Sequence, residues 1–521
     1  METTSSTSST SSTTSKDEKE QTKEEQTVEN LGNSIYLIQL GDANYEESLK
    51  LAEQYKQEGN KLLQENSFYA SIEKYTQAIN LRIETKNNAI YYSNRAFVHQ
   101  KLENYALTIA DANEAIKIDP TYLKAYYRRS TANLCLFHFD EALKDLKFLQ
   151  SKLPNDQILK EKIEKTKKQI RKKQIWECFS SEGRGETVSL KKLYDSLEVE
   201  EMYSGSRIGA DGKISLDWIK ELIKNLKDRK YLHKKYLLQL LIYAKEYFEK
   251  QPNLINIDFT EDQITVCGDV HGQFYDLLNI FEKNGFPSEK NRYLFNGDFV
   301  DRGAYGIECI TLLLAFKYLY PNHFFLSRGN HEEKRINKIY GFEREVLDKY
   351  NNDIYNCFCE FFNTLPLGHI IRKKKLVVHG GLFSKDGVTI EQINKENRFR
   401  EIPDSGIMSE ILWSDPSAEM GRHPSKRGMG MTFGPDVAEK FLQENGLDLL
   451  IRSHEVKPQG YEILPGGKVY TVFSAPNYCD QMGNLGAYII LDANDKLEVK
   501  TFEAVPHPSE PPMKYMNKWM F

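Results

Sequence analysis

Five short segments in the second half of the chain each deliver side chains able to hold a divalent cation, directly after an apolar run. They are Asp269 and His271 in GDVHG, Asp298 in GDFVDRG, Asn330 and His331 in GNHE, His379 in HGG, and His454 in SH. Carboxylates, an amide oxygen and imidazoles without thiolates suit Mn, Fe, Zn or Mg, and the residues do not choose among them. Asp269 and His271 are two apart, so in an extended segment both would leave on one face and reach the same ion. Gly268 and Gly272 let the backbone turn there without steric cost. Asp298 offers two oxygens and can bridge two cations. A lone histidine is more often packed or at the surface. Four of the chain's eleven, each beside Gly or Glu, point instead to a two-metal site for phosphoryl transfer.

Strands must position those side chains. Apolar runs at 264–267, 293–295, 324–326, 376–378, 449–451 and 469–473 alternate with helical patterns, which predicts a layered α/β domain with its site at the strand ends. A Gly- and Ser-bearing loop from about 180, then helical spacing over 216–226 and 231–248, reads as the entry to that domain.

Further upstream the chain repeats with a period of 34: Tyr92 and Tyr126, Asn94 and Arg128, Ala96 and Ser130, and Pro120 and Pro154 are equivalent. An earlier copy carries Gly59, Tyr75 and Ala78 at the small and aromatic positions. This resembles the tetratricopeptide repeat, in which antiparallel helix pairs stack and bury a continuous core. Lys56 and Asn60, Asn94, and Lys124 and Arg128 fall on the first helices of three repeats, which in that family line the concave wall. Five such donors suit a terminal carboxylate with an acidic neighbour. The resemblance is to the dicarboxylate clamp that holds heat-shock chaperone tails ending in Glu-Glu-Val-Asp. The Lys-rich stretch 157–176, with Leu159, Ile163 and Ile170 at helical spacing, reads as a capping helix.

The 521 residues predict several domains, and a formal net charge of −5 argues against general nucleic-acid binding. Seven scattered cysteines without a CxxC fit a reducing compartment, so no structural disulfides are expected. No run approaches the roughly 18–20 apolar residues of a membrane span, and no secretory leader is evident. The cytoplasm, and also the nucleus, is the expected setting. Residues 1–30, nearly all Ser, Thr, Glu, Lys and Gln, cannot bury enough apolar surface to offset ordering. The expected division is a disordered tail over 1–45, three repeats over 46–156, a capping helix and linker over 157–200, and a catalytic domain with a C-terminal regulatory tail over 201–521.

The segments GDVHG, GDFVDRG, GNHE and HGG resemble the phosphoprotein-phosphatase family of metal-dependent serine/threonine phosphatases, over roughly residues 200 to 521. SAPNYCDQMGN at 474–484 and AVPHP at 504–508, with the repeats, point to its tetratricopeptide-bearing branch. The resemblance implies a multidomain chain: an all-α tetratricopeptide superhelix, then an α/β metallophosphoesterase domain with a central β-sandwich flanked by helices. By the family pattern Asp269, His271 and Asp298 take one metal, and Asp298, Asn330, His379 and His454 the other. Two cations contribute about +4 against −2 from two aspartates and −1 from a bridging hydroxide, leaving a positive pocket for a phosphate dianion. That hydroxide would attack phosphorus in line with the leaving oxygen. His331 would give the leaving oxygen its proton, with Asp301 orienting the imidazole. Arg302 and Arg427 would hold non-bridging oxygens with Asn330 and His454 near the phosphate, Tyr478 resembles an active-site tyrosine, and Arg328 is assigned to scaffolding.

The same branch implies autoinhibition. Glu103 matches the repeat residue that faces the phosphate-binding arginines, and a chaperone tail or an acidic lipid would relieve the block. The chain ends at Phe521, short of the C-terminal helix expected from the family, which would weaken the closed state. Phosphoproteins are the expected substrates. Two alternatives are a chaperone adaptor with little activity and a metallophosphoesterase for other phosphate esters. Intact ligands and His331 argue against the first, and GDFVDRG with SAPNYC against the second.

Overall fold

The computed structural model describes residues 42–83, 85–179, 190–209, 211–511 and 513–517. The expected tail lies outside these up to residue 41, and a helix already begins at Asp42. The described residues form two compact units, one ending at Arg95 and one from Ala96 onward.

In the first unit, helices Asp42–Gln64 and Phe68–Asn80 form an antiparallel pair. Gly59 is where they approach: a Cβ there would sit 2.8 Å from the ring of the fully buried Tyr75. The Tyr75 hydroxyl donates to Asn60 at 2.7 Å, which fixes the ring against that glycine. Helix Asn87–Lys101 runs through the boundary between the units.

The second unit continues with helices Tyr105–Ile118, Leu123–Cys135, Phe139–Lys152 and Gln157–Phe179, whose small buried residues (Ala112, Ala115, Ala125, Ala132, Ala142) permit close packing. The turns between paired helices place Glu103 and Phe137 at φ of 61° and 59°, a left-handed step that recurs at Asn66 in the first unit.

Beyond the repeats, fourteen strands form three sheets among the described residues. A six-stranded sheet has the order β1 (Leu254–Ile257), β5 (Gly368–Ile371), β6 (Lys375–Val378), β10 (Leu449–Arg452), β12 (Val469–Val472) and β11 (Tyr461–Ile463). A five-stranded sheet has the order β14 (Leu497–Phe502), β13 (Gly486–Leu491), β2 (Gln263–Cys267), β3 (Asn291–Phe295) and β4 (Phe324–Leu326). A small third sheet has the order β7 (Asp415–Pro416), β9 (Met431–Phe433) and β8 (Arg422–Pro424). Val266, Leu294, Val377, Ile451, Val472 and Ile489 belong to one buried cluster that joins the two large sheets face to face, each contributing about 1.5–3 kcal/mol of burial.

Register decides what the sandwich presents. Strands β2, β3 and β4 are parallel with Cys267, Phe295 and Leu326 side by side, and β6, β10 and β12 are parallel in the facing sheet. Their carboxyl ends therefore lead together into 268–272, 296–302, 327–333, 379–381, 453–455 and 473–480. Helix Leu190–Asp195 also reaches this domain, with Leu190 in the core below helices Leu216–Lys227 and Lys234–Glu249. No described helix is long and apolar enough to cross a membrane, and Cys135, Cys267, Cys309, Cys357, Cys359 and Cys479 are free.

Candidate metal and phosphate site

At the carboxyl rim, Asp298 lies at the centre. Its carboxylate belongs to two groups whose ligand atoms lie within 4.8 Å of one another: His271, Asp298 and His331, and Asp269, Asp298 and His379. Asp298 Oδ2 is 3.4 Å from His271 Nε2 and 3.3 Å from His379 Nε2, and Asp269 Oδ2 is 3.7 Å from His271 Nε2. Asn330 Oδ1 is 2.8 Å from His379 Nε2, and the His454 amide donates to Asp269 Oδ1 at 3.1 Å.

The rings are set by their other nitrogens. Nδ1 of His271 meets the Val300 carbonyl at 3.0 Å, that of His379 the Asn296 carbonyl at 2.8 Å, and that of His454 the Asp415 carboxylate at 3.1 Å. Carbonyl and carboxylate oxygens only accept, so Nδ1 of His271 and of His454 carries the proton and Nε2 keeps a lone pair for a cation; His379 meets an accepting oxygen at both nitrogens, an arrangement that a cation between its Nε2 and Asn330 Oδ1 would satisfy. Nε2 of His454 is buried with no hydrogen-bond partner. Burial holds all three imidazoles, and His331, below their ordinary range, hence neutral. Burial likewise pushes the Asp269 carboxyl up to about 7 and raises Asp298. Buried carboxylates, neutral imidazoles and an orphaned nitrogen fit divalent cations.

One sequence expectation needs correction. Asp269 and His271 do not meet through alternation along an extended segment, because β2 ends at Cys267 and His271 has φ of 41°. A left-handed step turns the imidazole back toward Asp269. Asp298, Asp301, Arg302 and His454 also have positive φ, from 53° to 71°. Gly268 serves close approach, since a Cβ there would lie 2.1 Å from the Val472 carbonyl oxygen.

His331 follows Asn330, with its Nδ1 2.8 Å from Asp301 Oδ2. Asp301 also accepts from Asn337 at 3.0 Å and from the Phe342 amide at 2.8 Å. Burial raises the Asp301 carboxyl to about 7, against the pull of those donors. Arg302 stacks on Tyr340, 3.8 Å from guanidinium carbon to ring centre, and forms an ion pair with Glu103. Arg427 is no surface salt bridge: Nε donates to Asp415 and Nη2 to the His454 carbonyl, both at 2.7 Å. The Tyr478 ring lies 5.2 Å from that of His271. Arg328 is fully buried and donates to the Glu332, Arg398 and Arg400 carbonyls and to Asn363.

Two positioning residues escaped sequence reasoning. Glu332 accepts from the Asp298 and Gly329 amides at 2.8 Å and from Phe299 at 2.9 Å, pinning the loop that aims Asp298. Its place inside GNHE was the available signal. Asp415 lies outside the five segments and had none.

Among the clamp candidates, Asn94 Nδ2 donates to Asn60 Oδ1 at 3.2 Å and Lys56 pairs with Glu53 in the first unit. In the second, Lys124 is exposed and Arg128 lies over the Phe97 ring at 5.1 Å. Around Glu103, the Tyr105 and Tyr340 hydroxyls meet at 2.9 Å, and the Ala106 amide donates to the Lys426 carbonyl at 3.1 Å. Leu134 and Ala142 pack with Ile336, Ile339, Tyr340 and Met516.

A two-layer β-sandwich with oxygen and imidazole donors at one rim defines a metallophosphoesterase, and residues 263–458 match the calcineurin-like phosphoesterase family. Residues 163–256 match the PPP5 TPR repeat region. The chain is 47% identical to human serine/threonine-protein phosphatase 5, over 90% of this chain and 94% of that protein. It is 45% identical to serine/threonine-protein phosphatase T of Trypanosoma brucei brucei, over 89% and 97%. A solved Saccharomyces cerevisiae serine/threonine phosphatase, described as similar to human phosphatase PP5, aligns with a TM-score of 0.56 and 42% identity, covering 58% of this chain and all of that one. The chain belongs to the serine/threonine-protein phosphatase 5 family, and it is a protein serine/threonine phosphatase.

Proposed function

We propose that the chain hydrolyses phosphoserine and phosphothreonine at a two-cation site which its second repeat blocks until a chaperone tail engages the repeats. The position of Asp298 Oδ2 between His271 Nε2 at 3.4 Å and His379 Nε2 at 3.3 Å supports the first half of this reading. On the family pattern Asp269, His271 and Asp298 would hold one ion, and Asp298, Asn330, His379 and His454 the other, with Mn, Fe, Zn or Mg all suited. Such ions supply charge to draw in the phosphate and acidity to water near neutral pH.

The chain's own groups do the rest. Arg302 and Arg427 grip non-bridging oxygens through forked donors, beside Asn330, His454 and Tyr478. An arriving phosphate dianion raises the proton affinity of the neutral His331 imidazole at Nε2, while its Nδ1–H goes on donating to Asp301. His331 Nε2 can then carry a proton to the departing seryl or threonyl oxygen.

Glu103 on Arg302 supports the inhibited state, because its carboxylate takes donors that a phosphate would need. The donors Lys56, Asn60, Asn94, Lys124 and Arg128 suit a Glu-Glu-Val-Asp tail, and an acidic lipid is a second candidate for opening. Free cysteines accord with a cytoplasmic, and also nuclear, setting.

The full chain with added manganese should hydrolyse a phosphothreonine peptide and not a cyclic nucleotide, and should lose activity to a chelator. His331→Asn should lower kcat about 10²–10⁴-fold with KM little changed. Undiminished kcat in that variant would end the assignment.

A further inference from the structure

Asp415 sits where the candidate metal and phosphate groups converge. It stands on the two-residue strand β7, directly after helix Ile407–Trp413 and Ser414, and is 1% exposed. Its Oδ1 faces His454 Nδ1 at 3.1 Å and accepts from Arg452 Nη2 at 2.7 Å. Its Oδ2 accepts from Arg427 Nε at 2.7 Å, and Arg427 Nη2 closes the ring on the His454 carbonyl. Arg452, fully buried, is itself fixed by the Gly380 carbonyl at 2.7 Å and by Glu455 at 3.1 Å.

We infer that Asp415 is a positioning residue that couples the two halves of the site, fixing the His454 tautomer for a cation while aiming Arg427 at the phosphate. The inference rests on the roles given above to His454 and Arg427. A carboxylate is required because all three neighbours are donors, and one anion can accept from all of them. Asparagine keeps the shape but turns an acceptor into an NH₂ group. Wherever that NH₂ faces His454, it favours the lone pair on Nδ1 and the proton on Nε2, the atom a cation needs.

Full-length, ion-free protein would be titrated with manganese chloride by calorimetry. Asp415→Asn should weaken one of two manganese events about 10–100-fold and raise the KM for a phosphopeptide. Arg427→Lys should raise KM without moving manganese affinity. Nitrogen-15 histidine spectra, assigned with His454→Gln, should show His454 protonated at Nδ1 in the native chain and at Nε2 in Asp415→Asn. Unchanged manganese affinity and tautomer in Asp415→Asn overturn the inference. If that variant does not fold, the native spectrum decides, and a proton on Nε2 overturns it. If His454→Gln also leaves both manganese events intact, the metal assignment itself has failed instead.

Discussion

Replacing Glu103 with glutamine should switch on the resting enzyme, and the structure bounds by how much. The Arg302 side chain is 4% exposed and that of Glu103 is 22% exposed, so their ion pair is shielded from most solvent. A hydrogen bond to a charged group in such a setting is worth about 1.5–3 kcal/mol, and the partial exposure of Glu103 argues for the middle, about 2 kcal/mol. At about 1.4 kcal/mol per factor of ten, the open population should rise roughly 30-fold, until it saturates. Glutamine keeps the size and removes only the charge. The Tyr105–Tyr340 hydrogen bond and the apolar contact of Leu134 and Ala142 with Ile336, Ile339 and Met516 remain, so opening will be incomplete. Steady-state turnover of a phosphopeptide by full-length Glu103→Gln, against the native chain in the same manganese, reads the effect. Moderate salt should not reproduce it, because a buried pair is weakly screened. Activity within about twofold of native, while Arg302→Ala still weakens phosphate binding, would refute the reasoning.

Two other outcomes can be checked directly. Gly59→Ala forces a methyl to within 2.8 Å of the Tyr75 ring, whose hydroxyl is tied to Asn60, and should cost about 1–3 kcal/mol in denaturant unfolding of the full chain. His507, 3.1 Å from Asp480, has its proton affinity raised by the Pro508 carbonyl and Asp480 against the opposing effect of burial. A raised folded-state value means its stabilisation is full below about pH 6.5 and is lost as pH rises above that. Proteolysis at the 503–511 segment should therefore quicken from about pH 6 to about pH 8.5, and His507→Gln should flatten the trend.

The candidate ligand segments stand out in the sequence because each places Asp, Asn or His just past an apolar run, in most of them beside Gly, a chemistry visible residue by residue. The 34-residue period was readable for the same reason, through small and aromatic positions such as Gly59 and Tyr75. The third sheet was not, since strands of two or three residues such as Asp415–Pro416 and Arg422–Pro424 are too short to show alternation. Helix Gly306–Leu319 is buried nearly all round, so it has no polar face to mark its period. The start of the first described helix at Asp42 was hidden because DANYEE carries too few apolar residues to set it apart from the polar stretch before it. Asp415 acts through partners 12, 37 and 39 residues away, Arg427, Arg452 and His454, and only folding brings them to it.

His271, Asp298, Asp301, Arg302 and His454 all occupy the left-handed backbone region that such residues ordinarily avoid, at about 1–3 kcal/mol each. Together that rivals the whole margin by which a domain usually outlasts its unfolded form. Backbone ease and turnover are therefore in tension here: asparagine or glycine at these positions would relieve that strain while removing the groups assigned to the site. A selection scheme that rewards ruggedness alone would lose the chemistry first, at the rim, long before it touched the sandwich beneath.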